Sequence, residues 1–235
     1  MSDMEVQVLQ RYIENHLDLH TAHLPDEYFY TSVVQCVIDA VFSIGVRYEG
    51  VRNVVRRFSE YAAIEMKREG SQFPSVELQY TVDDFLNDIE VQGIQTYANL
   101  VFKNKQKTST RNGILKTEAG YEFCKVLKTH GVQTLQDVQK LYVDASFEAE
   151  IKTIPGQKSG ISLVYFYMLA GEDAKVKPDR MIVRFLEKAL SRKVDLNEAQ
   201  PLLAQVNSLL RPNYPNLNPR LLDYVIWSDT RNSIP

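Results

Sequence analysis

The sequence predicts an all-α protein of about ten short helices. Through most of the 235-residue chain, apolar residues recur at the three- and four-residue spacing of one helix face. Residues typical of helix starts, and glycines typical of helix ends, separate these stretches. No stretch alternates apolar and polar residues for long enough to predict a strand.

The predicted helices follow one another from the N-terminus. The first has its apolar face over residues 6–17, and the second is predicted over residues 26–44. Gly, Ser and Pro indicate a loop over residues 68–80, and Thr81 is a predicted N-cap because acids follow it. The other main helices share such apolar faces and are predicted over residues 51–62, 81–90, 93–102, 114–130, 147–152, 161–170, 181–190, 196–210 and 218–229.

The composition limits the class of protein. Apolar residues make up 44% of the chain, which is enough to bury a core and argues against a disordered chain. The net charge of −3 argues against coating nucleic acid by bulk charge, although a local basic patch is compatible with it. Cys36 and Cys124 are too few for a structural zinc or iron–sulfur site, so we expect buried free thiols. The four histidines have no metal-binding pattern, and we predict no metal site.

The N-terminal residues indicate a cytoplasmic, soluble protein. They lack the basic start, apolar run and small-residue cleavage site of a signal peptide. The longest apolar run, residues 163–170, is too short to cross a bilayer. We therefore expect no membrane contact.

A sharp turn interrupts the helical pattern at Pro155 and Gly156. Proline lacks a backbone N–H and glycine favours open dihedrals, so we predict a helix, a tight hairpin and a second helix. The second helix, residues 161–170, is apolar nearly all round and should lie in the centre of the core. Its N-terminus, with Lys158 beside it, can bind an anion such as a phosphate.

An aspartate follows that apolar helix at the start of the next one. Pro178 suits the first turn of a helix, which places Asp179 at the N-terminal end of the helix over residues 181–190. Taken alone, the pattern favours a carboxylate that only satisfies backbone donors.

The order of these features resembles the helix-hairpin-helix DNA glycosylase superfamily, which includes endonuclease III and the alkyladenine glycosylases. In that family a Leu-Pro-Gly-Val-Gly hairpin grips the DNA backbone, and a catalytic aspartate follows the apolar helix. Here Ile154-Pro155-Gly156 matches the start of the hairpin, and residues 178–182, Pro-Asp-Arg-Met-Ile, match the aspartate motif. The separation, 179 − 156 = 23, is close to that of the family.

The sequence also departs from the family's pattern. Lys158 stands where the family has its second hairpin glycine, so a side chain would replace backbone contacts to phosphate. Gly160 stands where bifunctional members carry a nucleophilic lysine, and no cysteine follows Cys124 to hold an iron–sulfur cluster. The resemblance therefore implies a monofunctional DNA glycosylase of base-excision repair that needs no cofactor.

A basic stretch, residues 103–116, is the second candidate for contact with DNA. It holds five cations and no acid, interleaved with Asn, Gln, Ser and Thr, as phosphate contacts favour. We call residues 103–116 the basic segment. The predicted DNA-binding residues, from this segment and from the resemblance, are Gly156, Lys158, Ser159, Gly160, Lys103, Lys105, Lys107, Arg111 and Arg180.

The resemblance implies a two-lobed helical fold with a cleft between the lobes. Residues 26–172 would form the lobe that carries the hairpin, and residues 1–25 with 173–235 would form the other. Asp179 would be the catalytic residue, stabilising positive charge on the sugar of a flipped base. The expected partner is DNA, and we expect a monomer.

Alternatives remain open at this point. A non-catalytic DNA-binding protein of the same fold would need the cations but not Asp179, and an all-α protein–protein module would need neither. Tyrosines that could stack on a flipped base are Tyr30, Tyr48, Tyr165 and Tyr167, although packing in the core is the favoured interpretation of each.

Overall fold

The computed structural model describes residues 3–46 and 48–232 of the chain. Within that range the protein is all-helical, which confirms the predicted fold class. The described residues contain no strand, and extended segments pair only at two isolated bridges, Tyr30 with Lys67 and Lys107 with Leu115. None of the helices in the same range has the length and apolar character needed to cross a bilayer.

The α-helices are named in chain order. They are α1 Asp3–His16, α2 Val33–Phe42, α3 Tyr48–Tyr61, α4 Val82–Gln92, α5 Ile94–Leu100, α6 Lys116–Thr129, α7 Ala145–Thr153, α8 Ile161–Leu169, α9 Arg180–Leu190, α10 Leu196–Leu210 and α11 Pro219–Asn232. Shorter 3-10 helices lie at Asp26–Tyr28, Val76–Leu78 and Leu135–Leu141.

The chain divides into two compact units. We call Asp26–Gly171 the central unit, and Met1–Pro25 together with Glu172–Pro235 the terminal unit. The two-lobed arrangement with a cleft stays a prediction.

The central unit is built around α2. Every residue of this helix is buried, and it packs against α3, α6 and α8. The prediction of a single helix over residues 26–44 was wrong, because Ser32 is the N-cap of α2. The Ser32 hydroxyl accepts a hydrogen bond from the backbone N–H of Gln35, and the Gln35 side chain accepts one from the backbone N–H of Ser32. The capping box thus provides acceptors for two backbone N–H groups at the start of α2, which in a continuous helix would bond to carbonyls of the preceding turn.

Helix α8 is the second buried helix of the central unit. Its residues 163 and 165–169 are buried and it packs against α2, which confirms the prediction from its apolar sequence. Cys36 and Cys124 are buried in the same unit and form no disulfide among the described residues, also as predicted.

The terminal unit has its own core. Helices α1, α9, α10 and α11 pack on one another, with α9 contacting each of the other three. The core side chains of this unit include Leu9, Ile13, Ile182, Phe185, Leu186, Leu202, Leu203, Val206, Leu222 and Ile226. Helix α9 buries one apolar face, formed by Ile182, Phe185, Leu186 and Ala189, and its first residue, Arg180, is exposed.

Candidate functional site

The predicted hairpin joins α7 to α8 within the central unit. We call residues 154–160 the hairpin. The backbone N–H of Gln157 donates to Ile154 O at 2.9 Å, and that of Gly160 donates to Gln157 O at 2.9 Å. Gly156 has φ +92° and Gly160 has φ +71°, dihedrals that an L side chain rarely adopts. The two glycines therefore allow the turn to close.

The basic segment packs against the hairpin. A Cβ on Gly156 would lie only 2.4 Å from Thr108 Cβ, so the absence of a side chain lets Thr108 approach the turn. Thr108 itself is buried, and its backbone N–H donates to Ile114 O at 2.9 Å. The structure thus brings together two features that lie 48 residues apart in the sequence (156 − 108 = 48).

Polar atoms at this contact lack partners. Gln157 is fully buried, and its Oε1 accepts a hydrogen bond from the Ser162 hydroxyl. Neither Gln157 Nε2 nor Thr108 Oγ1 has a hydrogen-bond partner among the described residues. An unsatisfied buried polar group costs about 1–3 kcal/mol, and such groups are uncommon outside functional or hydrated sites.

The cations beside this contact are exposed. Lys103, Lys105, Lys107, Arg111 and Lys158 all have exposed side chains, as does Ser159. None of them takes part in the ion pairs found among the described residues. Their charges are therefore not neutralised within the described part of the chain.

Lys116, the last cation of the basic segment, does not belong with the others. Its side chain is 1% exposed, and its Nζ donates to Phe42 O at 2.8 Å and to Ile44 O at 2.7 Å. Burial lowers the pKa of this lysine to about 8. Counting Lys116 with the phosphate-binding cations was wrong, because it binds the C-terminal end of α2 instead.

Asp179 lies in the terminal unit as the N-cap of α9. Its Oδ1 accepts hydrogen bonds from Met181 N at 2.8 Å and Ile182 N at 3.2 Å. The residue is half-buried, and Arg180 beside it is exposed. The helix-start position was predicted correctly, and a catalytic role for Asp179 stays a prediction.

A second carboxyl, Asp223, lies close to Asp179 and was missed in the sequence. Asp223 is buried, and its Oδ1 accepts a hydrogen bond from the backbone N–H of Lys177 at 2.8 Å. Burial, and then the negative charge of Asp179, raise the pKa of Asp223 well above its usual range. The signal was present: Asp223 shares a face of α11 with the buried Leu222 and Ile226, where an acid is out of place.

Side chains of α10 and α11 tie down the link that leads to Asp179. The Arg220 guanidinium pairs with Asp173 at 2.7 Å, and Gln200 accepts from Val176 N at 2.6 Å. With the bond from Lys177 to Asp223, this link is held at several points. Asp179 therefore starts α9 from a well-anchored backbone.

The candidate stacking tyrosines are packing residues. Tyr30, Tyr165 and Tyr167 are buried and Tyr48 is half-buried. Tyr30 and Tyr48 donate to Asp39 Oδ2 at 2.7 and 2.8 Å, and burial followed by the charge of Asp39 raises the pKa of both phenols. This buried carboxylate was also missed, and it holds the hydroxyl groups of Tyr30 and Tyr48.

The comparisons with known proteins identify the family but no activity. Residues 7–231 match the family described as Domain of unknown function (DUF8548). The chain belongs to this family, since the match covers nearly all of it. No curated protein and no solved structure matches the chain.

Proposed function

We propose that the protein binds DNA through the hairpin and the basic segment of the central unit. The observation that carries this proposal is the contact of Thr108 with Gly156, which joins the two DNA-binding candidates into one surface. Exposed cations without acidic partners then lie on both parts of that surface, and phosphates favour such groups.

The hairpin supplies a second kind of phosphate contact. The N-terminus of α8 carries the positive end of the helix dipole, and Lys158 and Ser159 are exposed directly before it. Lys158 replaces the glycine of the related hairpins, so we expect its ammonium group to contact a phosphate oxygen. These contacts fix position on the duplex and read no sequence.

Removing the cations of the basic segment tests this proposal. We expect a variant with Lys103, Lys105, Lys107 and Arg111 changed to Gln to bind duplex DNA at least about tenfold more weakly. If each cation contacts one phosphate, the slope of log K against log salt falls by about 4 × 0.9 = 3.6. Fluorescence anisotropy with a labelled duplex over a range of salt concentrations measures both.

A charge-matched variant serves as the control. Changing the exposed cations Arg184, Lys188, Lys193 and Arg211 of the terminal unit to Gln gives the same net charge, −3 − 4 = −7. We expect this control to keep most of the affinity and salt slope. Equal losses in the two variants would show that bulk charge, rather than the basic segment, governs binding.

A second candidate function, hydrolysis of an N-glycosidic bond, is favoured by the carboxyl pair Asp179 and Asp223. Burial, and then the negative charge of Asp179, raise the pKa of Asp223 well above its usual range, so Asp223 can hold a proton beside the Asp179 carboxylate. An ionised Asp179 can stabilise positive charge at C1′ of a nucleotide and orient a water. The water oxygen then bonds to C1′ as the C1′–N bond breaks, and the two electrons of that bond leave with the flipped base. The proton released by the water passes through Asp179 to solvent.

A single-turnover base-excision assay tests whether the protein hydrolyses the N-glycosidic bond. The substrates are duplexes that carry oxidised, alkylated, deaminated or mismatched bases, and wild type is compared with Asp179→Asn. Because Asn is also a good N-cap, we expect the variant to fold normally and to lose excision by about 10²-fold or more. Binding without excision by wild type would identify a non-catalytic DNA-binding protein, and absence of both would favour a protein–protein module.

A further inference from the structure

The basic segment doubles back on itself as a closed loop. The backbone N–H of Thr108 donates to Ile114 O at 2.9 Å, and Lys107 pairs with Leu115 in an isolated bridge. The two sides of the loop therefore run next to each other. We call residues 109–112, which join these two sides, the tip of the basic segment.

Close packing gives the tip a fixed shape. The Ser109 hydroxyl donates to Arg111 O at 2.5 Å. Gly113 lies directly against Ser109, since a Cβ on Gly113 would come within 2.4 Å of both Ser109 N and Ser109 O. Asn112 has φ +55°, a left-handed dihedral that asparagine adopts more readily than most residues. The tip is therefore a tight, pre-formed turn.

Arg111 is the one long side chain of the tip, because its neighbours Thr110 and Asn112 are short. It is exposed, and it takes part in none of the ion pairs found in the part of the chain that the structure describes. A guanidinium is planar and weakly hydrated, so it enters a narrow site more easily than the ammonium group of a lysine. The tip thus presents to solvent a guanidinium that is not neutralised by an acid in that range.

The base of the loop is held by the central unit. Thr108 is buried, and it packs closely on Gly156 of the hairpin. The loop as a whole therefore cannot enter a groove of DNA, and only a side chain of the tip is left to do so. Lys105 and Lys107 precede the tip, and both are exposed where phosphates beside such a groove can meet them.

A single arginine at a narrow turn suits the minor groove of DNA better than the major groove. Readout in the major groove uses side chains of a helix or a two-stranded ribbon that enters it. The minor groove is only about 6 Å wide, and in A·T tracts it is narrower and its stronger negative potential attracts an inserted arginine. A·T pairs also lack the guanine N2 amino group, a donor that would oppose the donors of a guanidinium.

We propose that the tip of the basic segment inserts Arg111 into the minor groove of duplex DNA, while Lys105 and Lys107 contact phosphates beside it, so that the protein prefers A·T-rich sites with a narrow minor groove. The inference rests on the proposed function, since it names the groove and the class of sequence that the DNA-binding surface takes. A cation in the groove displaces counterions as a cation on a phosphate does, so binding keeps the salt dependence expected for the basic segment.

Three duplexes of equal length test the inference by fluorescence anisotropy at one salt concentration. Their central base pairs are A·T, G·C or inosine·cytosine, and their flanking sequences are the same. Inosine·cytosine presents the major-groove edge of G·C but, like A·T, has no amino group in the minor groove. We expect wild type to bind the A·T and inosine duplexes about fivefold or more tightly than the G·C duplex.

Two substitutions separate the groove contact from the phosphate contacts. Arg111→Gln should bind the three duplexes alike, because the side chain that enters the groove is lost. Lys107→Gln should weaken binding of all three by a similar factor and keep the preference, because a phosphate contact reads no sequence. Both residues are exposed, so we expect both variants to fold as wild type does.

The inosine duplex decides which groove is contacted. If it binds like the G·C duplex while the A·T duplex differs, the major groove is read and the inference is overturned. Equal binding of all three duplexes by wild type, or a preference that survives Arg111→Gln, overturns the role of Arg111 but leaves the proposed DNA binding intact. Failure of wild type to bind any of the duplexes overturns the proposed function and the inference together.

Discussion

Gly156→Ala will lower the free energy of unfolding by about 2–5 kcal/mol. Two costs combine at this position. A side chain at φ +92° costs about 1–2 kcal/mol, and the new Cβ would meet Thr108 Cβ at 2.4 Å and Thr108 Oγ1 at 2.7 Å. Overpacking of this kind adds about 1–3 kcal/mol, because Thr108 is buried and its backbone is held by Ile114.

Gly70→Ala separates the two costs. Gly70 also has a positive φ, +69°, but a Cβ there meets no atom within 4 Å. We expect this control to lose only about 1–2 kcal/mol, so the difference between the variants measures the clash with Thr108. Far-UV circular dichroism in urea gives both values, and a Gly156→Ala loss no larger than that of Gly70→Ala would contradict the contact.

Hydrogen exchange adds a local measurement. The backbone N–H groups of Thr108 and Lys116 donate to Ile114 O and Gln106 O, which closes the base of the basic segment. If the new methyl group displaces the segment, these two amides will exchange faster in Gly156→Ala than in Gly70→Ala. Trp227 is the chain's one tryptophan and lies in the terminal unit, so its fluorescence gives a separate readout of that unit.

Lys116→Met will destabilise the central unit by about 2–4 kcal/mol at neutral pH. Methionine keeps most of the apolar stem but leaves Phe42 O and Ile44 O, which now accept from Nζ, without this donor. Each buried carbonyl left without its donor costs about 1–3 kcal/mol. The exposed Lys125→Met on the same helix, α6, is the control, and we expect a change below about 0.5 kcal/mol there.

The pH dependence of the Lys116→Met loss has a defined sign. The pKa of Lys116 is about 8 in the folded protein, whereas an unfolded lysine has a pKa of about 10.4. Between these values the unfolded chain holds the proton and the folded protein does not, so wild-type stability rises with pH relative to Lys116→Met. The loss should therefore grow from pH 8 to about pH 10, by at most about 1.4 kcal/mol per pH unit.

When wild type and Lys116→Met are compared at each pH, the effect of all other titrating groups on stability cancels in the difference. Buried tyrosines such as Tyr30 and Tyr165 have raised pKa values, so they lower stability at alkaline pH in both proteins alike. Urea unfolding at pH 7, 8, 9 and about 10 gives the difference directly. A loss that shrinks as pH rises would show that the carbonyls stabilise the ammonium ion more than burial destabilises it.

Local patterns in the sequence predicted most of the helices. The apolar periodicity of α9 and the continuous apolar run of α8 indicate burial without any knowledge of their neighbours. Thr81 as the cap of α4 was also predicted correctly, and the last helix, predicted over residues 218–229, is α11. Each of these signals acts within about one helical turn, so the sequence carries it in full.

The same local patterns missed the break before α2. Asp26–Tyr28 forms its own 3-10 helix, and Ser32 starts α2 with a capping box. The apolar residues on both sides of the break keep a helical spacing, which made them look continuous. The Ser32–Gln35 pair was the available signal for the true start.

The sequence by itself determined the all-α class, the hairpin between α7 and α8, and the position of Asp179 at the start of a helix, because backbone propensity and capping depend on neighbouring residues. Only the tertiary structure decided which cations are exposed and which acids are buried. Lys116 and Lys107 read alike in the sequence, yet one binds the end of α2 and the other is exposed. Pairs such as Thr108 with Gly156 and Lys177 with Asp223 meet through long-range packing, which no local pattern encodes.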